Sequence, residues 1–417
     1  MDALLERFRE RIRTLSAVSV AGLTRMIDPA TGLFVFRVAG DEGGLPVGAG
    51  ASLRYTAITL LGLERAERAG FSLGLDVGRL YQAVDATLAG ADNAGDVGLV
   101  LWAAAATCRP LAERALDDLR DFDDVSRKRG GGVVHTTELA WVVTGLSEAL
   151  MAGIGNEREV RARLDRAYAY LLGQRGRSGL FCFARPLASG PRGPAALLRS
   201  ELGFFDAQVY GIVACLSRDA AVGDPEAREV ARGVGERLLA HQHPLGQWGW
   251  HYNVRTGALV DLYPVYSVHQ DGMAPMALLW LERATGMATT PAVARGVDWL
   301  FGRNELGESL VDEERGVVWR SIRRRGWRRR VVLPLKAASL ARLGQGRDLG
   351  ARLARPSDLE VDRECRPYHL GFCLYALAEL AAQPLPDVAA LAEDPSPTLK
   401  TGDAAAPSLA ARASHSA

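Results

Sequence analysis

An alternation of two kinds of helical segment, separated by turns that join glycine to aromatic residues, constrains this chain most. The clearest turns are Gly32-Leu33-Phe34-Val35-Phe36-Arg37, Gly179-Leu180-Phe181-Cys182-Phe183 and Gly246-Gln247-Trp248-Gly249-Trp250, with a weaker copy at Gly316-Val317-Val318-Trp319-Arg320. Segments 156–174 and 224–242 carry one charged face, whereas 55–63, 138–146, 206–212, 271–278 and 368–374 are apolar on nearly every side. A helix with a charged face borders water, and one that is apolar all round is enclosed. Regular alternation of the two kinds gives two concentric rings. Six or seven helical hairpins fit between residues 1 and 383. The expected fold class is therefore all-α, an (α/α) toroid of six to seven helical hairpins with short β-hairpin insertions at the rim. It is expected to occupy residues 1–384. Residues 385–417 are dominated by Pro, Ala, Ser and Asp and contain no aromatic residue. Such a segment has little to bury and is expected to be a disordered tail.

Two turns add a glutamine. Gln242 stands four residues before Gly246 and six before Trp248, and Gln174 precedes Gly179 and Phe181 in a related run. These runs resemble the QW repeats of the terpenoid cyclase and protein prenyltransferase toroids. Six-hairpin glycosidases and toroidal lyases share the same helix-ring architecture. In such a turn the glutamine can hydrogen-bond backbone groups at a helix end while the aromatic packs beneath. That reading concerns the scaffold rather than chemistry.

The starts of the inner helices line one mouth of a toroid, and helix N-termini favour anions. Of seven histidines, His135, His251, His269 and His369 fall at or just before an inner helix. The stretch 250–275 is the richest in polar groups, with His251, Tyr252, Asn253, Asp261, Tyr263, Tyr266, His269, Gln270 and Asp271. Asn253 to Gly257 reads as a turn, and Pro264 separates two short extended pieces. Catalysis is assigned to His269, Asp271, Tyr263, His251 and Asp261. His269 is the general acid or base, oriented by Asp271 or Asp261. Substrate binding is assigned to Arg54, Tyr55, Glu138, Asp206, Gln208, Gln270, Arg324, Trp250, Tyr368 and His369.

A second patch is basic. From Arg320 to Arg330, seven of eleven residues are arginine. Flanking Val317-Val318 and Val331-Val332, with Gly326 between, predict a β-hairpin across the rim. It is either an anion-binding surface or a solvated hairpin balanced by Glu313 and Glu314. Asp121-Phe122-Asp123-Asp124 spells the acid motif of class II terpene cyclases, but it follows an outer helix instead of opening an inner one. Asp362, Cys365, His369 and Cys373 resemble prenyltransferase-like zinc ligands, yet Cys373 lies inside an apolar helix. No metal and no cofactor is expected.

The net charge of +1 argues against nucleic acid as a partner. No run reaches ~18 uninterrupted apolar residues, so membrane insertion is not expected. Five scattered cysteines and an N-terminus without a signal-like apolar core point to a cytoplasmic protein. Three function classes follow. The first is a carbohydrate-active hydrolase, lyase or epimerase acting on an oligo- or polysaccharide, or on another small molecule, with an anionic substrate one option. The second is an isoprenoid cyclase or prenyltransferase, and the third a non-catalytic ring that binds an anion. Carbocation chemistry needs an aromatic-walled dry cavity, whereas aromatics are 7% here and the predicted mouth is polar. The carbohydrate reading therefore ranks first.

Overall fold

The computed structural model describes residues 2–39, 48–121, 135–185, 200–326 and 354–383. The expected tail, residues 122–124 of the Asp-rich motif, and Val331-Val332 with Arg328–Arg330 lie outside the described residues. Twelve α-helices are described. Those with odd numbers are α1 (Asp2–Leu23), α3 (Val77–Leu88), α5 (Arg109–Asp118), α7 (Glu157–Leu172), α9 (Pro225–Ala240) and α11 (Thr290–Leu300). Those with even numbers are α2 (Leu53–Arg68), α4 (Ala94–Ala104), α6 (Thr136–Met151), α8 (Phe205–Val222), α10 (Ala274–Thr285) and α12 (Pro367–Ala382). The even helices pack in the order α2–α4–α6–α8–α10–α12, and α12 closes against α2. The odd helices lie outside, each against its inner partners. Six hairpins therefore form the expected (α/α) toroid.

Local sequence sets the helix starts. Ser52, Asp76, Asn93, Asn156 and Asp224 each accept a backbone N–H from the first turn of the helix they open, which satisfies a donor that has no partner within the helix. Glycine sets the inner-ring spacing. A Cβ on Gly62 would lie 2.0 Å from the Gly371 carbonyl oxygen, and one on Gly145 would lie 2.3 Å from that of Gly98. The α2–α12 and α4–α6 pairs thus touch backbone to backbone, which explains why the inner segments are rich in small residues. The apolar core is continuous between the two rings.

The four turn glycines predicted from sequence, Gly32, Gly179, Gly246 and Gly316, all adopt positive φ, a conformation that glycine reaches at least cost. Three turns are tied down alike. The backbone N–H of Phe34 donates to Thr56 Oγ1 at 2.9 Å, that of Phe181 to Gln208 Oε1 at 2.7 Å, and that of Trp248 to Gln270 Oε1 at 3.2 Å. In each case the first turn of an inner segment holds the preceding glycine turn. Gln242 donates to the Gly246 and Ala292 carbonyls, both at 2.7 Å, and the Trp248 indole donates to the Leu238 carbonyl at 2.9 Å.

The rim carries small antiparallel sheets. β1 (Val35–Ala39) lies between β2 (Gly48–Ala51) and β11 (Glu364–Cys365); β4 (His251–Asn253) lies between β3 (Leu202–Phe204) and β5 (Leu259–Asp261); β9 (Ser321–Arg324) lies between β6 (Val265–Tyr266) and β10 (Leu359–Asp362). β7 (Val311–Asp312) pairs with β8 (Val317–Val318). The β9 pairing corrects an expectation. Its described partners are 359–362 and 265–266 rather than a strand after Gly326. Between β6 and α10 the chain makes a π-helical turn, His269–Met273. Pro275 follows it, and a proline has no N–H to return to the carbonyl four residues back.

Candidate active site

The inner-helix starts converge at one mouth of the ring, and aromatic rings form much of its wall. Tyr55 stacks on Phe36 at 5.0 Å and meets Tyr368 at 4.5 Å; Tyr368 continues to Phe372, Phe372 to Tyr210, and Tyr210 to Trp141. A second chain of rings runs His135–Phe183–Phe204–Trp250–Tyr266, with successive centroids 4.3, 4.4, 5.3 and 4.9 Å apart. All five of these residues are half-buried.

Three carboxylates stand on three successive inner-helix starts. Arg54 Nε donates to Asp96 Oδ1 at 2.6 Å and Nη2 donates to Glu138 Oε1 at 3.3 Å, while its guanidinium lies 5.0 Å over the Trp141 ring. Asn93 fixes Asp96 from the other side, through Nδ2 to Oδ2 at 2.9 Å. Glu138 accepts the His135 backbone N–H at 3.0 Å. Thr137, beside Glu138, donates to Asp206 Oδ2 at 3.2 Å, and the Ala207 N–H reaches Asp206 Oδ1 at 2.9 Å. No cation pairs with Asp206 among the described residues. It keeps a partly exposed edge while protein atoms crowd its other sides, and that burial pushes its carboxyl up. Arg54, Tyr55, Glu138, Asp206 and Tyr368 thus gather where the sequence placed them. Asp96 was missed. Its signal was Asn93, an N-cap residue three positions ahead of an acid at the start of an apolar segment.

The histidines divide differently from expectation. His369 Nε2 faces both oxygens of Asp271, at 2.8 and 2.9 Å, in a fully enclosed pair that joins α12 to the π-helical turn. Asp271 therefore orients His369, not His269. His269 lies stacked on Phe205 at 4.4 Å, is 3% exposed, and is held neutral by burial, its pKa lowered to about 3. His251 lies between Trp250 and Phe204 and is likewise lowered to about 3 by burial. The Nδ1 atoms of both are buried without a hydrogen-bond partner among the described residues.

Other expected residues brace the scaffold. Gln208 Nε2 donates to the Phe181 and Phe204 carbonyls at 2.7 and 3.0 Å, and Gln270 Nε2 to the Tyr266 carbonyl at 3.0 Å. With their oxygens also occupied, these two amides hold turns and do not reach into the mouth. Tyr263, 1% exposed, donates its hydroxyl to Glu305 at 2.9 Å, and Glu305 also receives Gln247 and the Trp299 indole. Asp261 is buried, lies across the ladder from His251 and accepts the Tyr263 N–H. Much of 250–275 is therefore enclosed strand and turn, not an open loop.

The arginine patch is set against different acids from those expected. Arg323 pairs with Glu360 and Asp362, while Arg320, Arg366 and Arg37 share Glu364. Arg366 also donates to the Tyr55 hydroxyl at 2.7 Å, and Arg320 lies 5.2 Å over Tyr266. Three guanidinium groups thus surround one carboxylate beside Tyr55 and Tyr266. Arg324 lies 5.1 Å over Tyr263 instead of beside Tyr55. Among the described residues no cluster of His, Cys, Asp and Glu could hold a metal ion, and all five cysteines are free thiols. No described helix is long and apolar enough to cross a membrane.

No protein-family model matches the chain, and no curated protein does. Solved structures do. An unsaturated glucuronyl hydrolase specific for heparin superposes with a TM-score of 0.59 at 14% identity, covering 90% of this chain and 96% of that one. A sugar epimerase from a ruminal bacterium gives 0.57 at 12%, covering 89% and 98%. A possible GH105 family member from Salmonella enterica gives 0.55 at 13%, covering 89% and 94%. At such identities the likeness shows the fold alone, an (α/α) toroid.

Proposed function

We propose that this protein is a carbohydrate-active enzyme, a hydrolase of oligosaccharides bearing an acidic group, with Asp206 as its proton donor in the ring mouth. The observation that carries the reading is the setting of Asp206. A carboxyl raised by burial, with no cation paired to it among the described residues and partly open to the mouth, keeps its proton to higher pH than a free carboxyl and is suited to release it to a leaving oxygen. The glycosidic C–O bond breaks as that oxygen takes the proton. Water adds at the anomeric carbon, and its proton returns to a carboxylate. Asp96 and Glu138, clamped by Arg54, supply fixed negative charge for the oxocarbenium-like sugar. Tyr55, Tyr368 and Trp250 offer flat faces for the C–H side of sugar rings. The excess of arginine over acid around Glu364 suits a carboxylate or sulfate on the substrate. The similar structures named above include enzymes of sugars, which favours this class over an isoprenoid cyclase. Free thiols are consistent with a reducing compartment such as the cytoplasm.

One observation favours a second reading, sugar epimerisation. The enclosed Asp271–His369 pair could hold an imidazole oriented for moving a proton at a sugar carbon. Incubation with uronate- and sulfate-bearing disaccharides in deuterated water, followed by mass spectrometry, separates the two. Hydrolysis adds one water and splits the chain. Epimerisation leaves the chain intact and carries deuterium onto carbon. Cleavage that Asp206→Asn abolishes supports the hydrolase; deuterium uptake without cleavage, lost in His369→Asn, replaces it with the epimerase.

A further inference from the structure

The end of the ring opposite the mouth holds a cavity of about 490 Å³, framed by the C-terminal ends of α4 and α6 and the start of α5. Its size falls within the range of small-molecule sites. Glu148, one turn from the end of α6, lines it, and its carboxylate makes no hydrogen bond or ion pair among the described residues. Arg65 is the cation whose charge reaches Glu148, but that guanidinium is occupied elsewhere. It lies 3.7 Å over the Tyr375 ring and donates to the Tyr375 carbonyl at 2.9 Å. The cation of the lining, Arg109, is likewise engaged, with Glu113 at 2.8 Å and the Gly153 carbonyl at 3.2 Å. Two helices also end at this cavity, at Ala105 and Ala152, and helix C-termini carry partial negative charge. The rest of the lining is Thr107, three alanines and Met151, which is 46% exposed.

We propose that this cavity is a second binding site, separate from the mouth, for a small organic ammonium ion. The apolar body rests on Met151 and the alanines, and the ammonium group meets Glu148 and the two helix ends. Thr107 is taken up by Glu64 and the Tyr81 hydroxyl, so it adds no anion recognition. Burial pushes the Glu148 carboxyl up to about 7 against the opposing charge of Arg65, so the one cation that reaches it offsets its burial only in part.

The test is calorimetric titration of the full chain with cyclohexylammonium chloride, with cyclohexanol as the neutral probe of matching shape. The ammonium should bind at least about tenfold more tightly than the alcohol, as one charge-assisted hydrogen bond provides. Glu148→Gln, which keeps the side-chain shape, should erase that preference, and Asp206→Asn should leave it intact. Equal binding of amine and alcohol, an unchanged preference in Glu148→Gln, or its loss in Asp206→Asn would each overturn the proposal. Because the mouth takes no part in this readout, failure here leaves the hydrolase reading untouched.

Discussion

Asp206 and Glu64 show how burial outweighs hydrogen bonding in setting the behaviour of single carboxyls in this ring. Asp206→Asn removes the proton donor while keeping the bond from Thr137 possible, so kcat should fall by about 10²- to 10⁴-fold with KM little changed. Steady-state kinetics on the identified oligosaccharide checks this. Glu64 accepts from Tyr81 and Thr107 and is 8% exposed; burial raises it from 4.5 to about 7. A raised carboxyl favours folding most below its unfolded value, and that contribution is lost as pH rises through about 7. Glu64→Gln should therefore stabilise the protein at pH ~8, by at most about 3 kcal/mol, and give no such gain at pH ~5. Thermal melts at the two pH values decide it. Arg54, Tyr55, Glu138, Asp206 and Tyr368 were legible because the start of an apolar helix fixes where they stand. The buried state of His251 and His269 was not legible. It depends on Phe204, Phe205, Trp250 and Tyr266 arriving from other elements.

Among the elements, the glycine contacts and the glutamine braces determine how closely helices and turns approach. Gly62→Ala would drive a methyl into the Gly371 carbonyl and should cost about 1–3 kcal/mol or more, as overpacking does. A lowered Tm would register it. Gln208→Ala would leave the buried Phe181 N–H and carbonyl without their partner, at a cost of about 1–3 kcal/mol for each unsatisfied group. Denaturant titration measures the loss. The hairpins and their glycine turns could be read from sequence because periodicity and positive-φ glycine are local properties. Strand pairing is not local. Nothing near Arg320–Arg324 announces that its partner is Leu359–Asp362, so a hairpin about Gly326 was the natural expectation.

At the scale of the whole ring, closure and acid sensitivity are linked. The α12–π-turn junction is spanned by His369 and Asp271, and neutral His269 and His251 lie close by. The unfolded chain protonates these two histidines below about 6.5, whereas in the folded ring they resist it down to about 3. Stability should thus fall as pH drops from about 6.5, opposed in part by the raised carboxyls of Asp206 and Asp271. The double variant His251→Phe/His269→Phe should show a flatter Tm between pH ~7 and ~5 than the parent. An equally steep decline would place the acid sensitivity elsewhere.

The central claim is that sugars are processed in the mouth formed by the inner-helix starts. The most direct measurement is a crystal structure of the Asp206→Asn protein holding its oligosaccharide. The account predicts a sugar ring against Tyr55 and Tyr368, its glycosidic oxygen within hydrogen-bond reach of residue 206, and its acidic group beside Arg320 or Arg366. An oligosaccharide bound on the outer helices or at the opposite end of the ring, with the mouth empty, would contradict it.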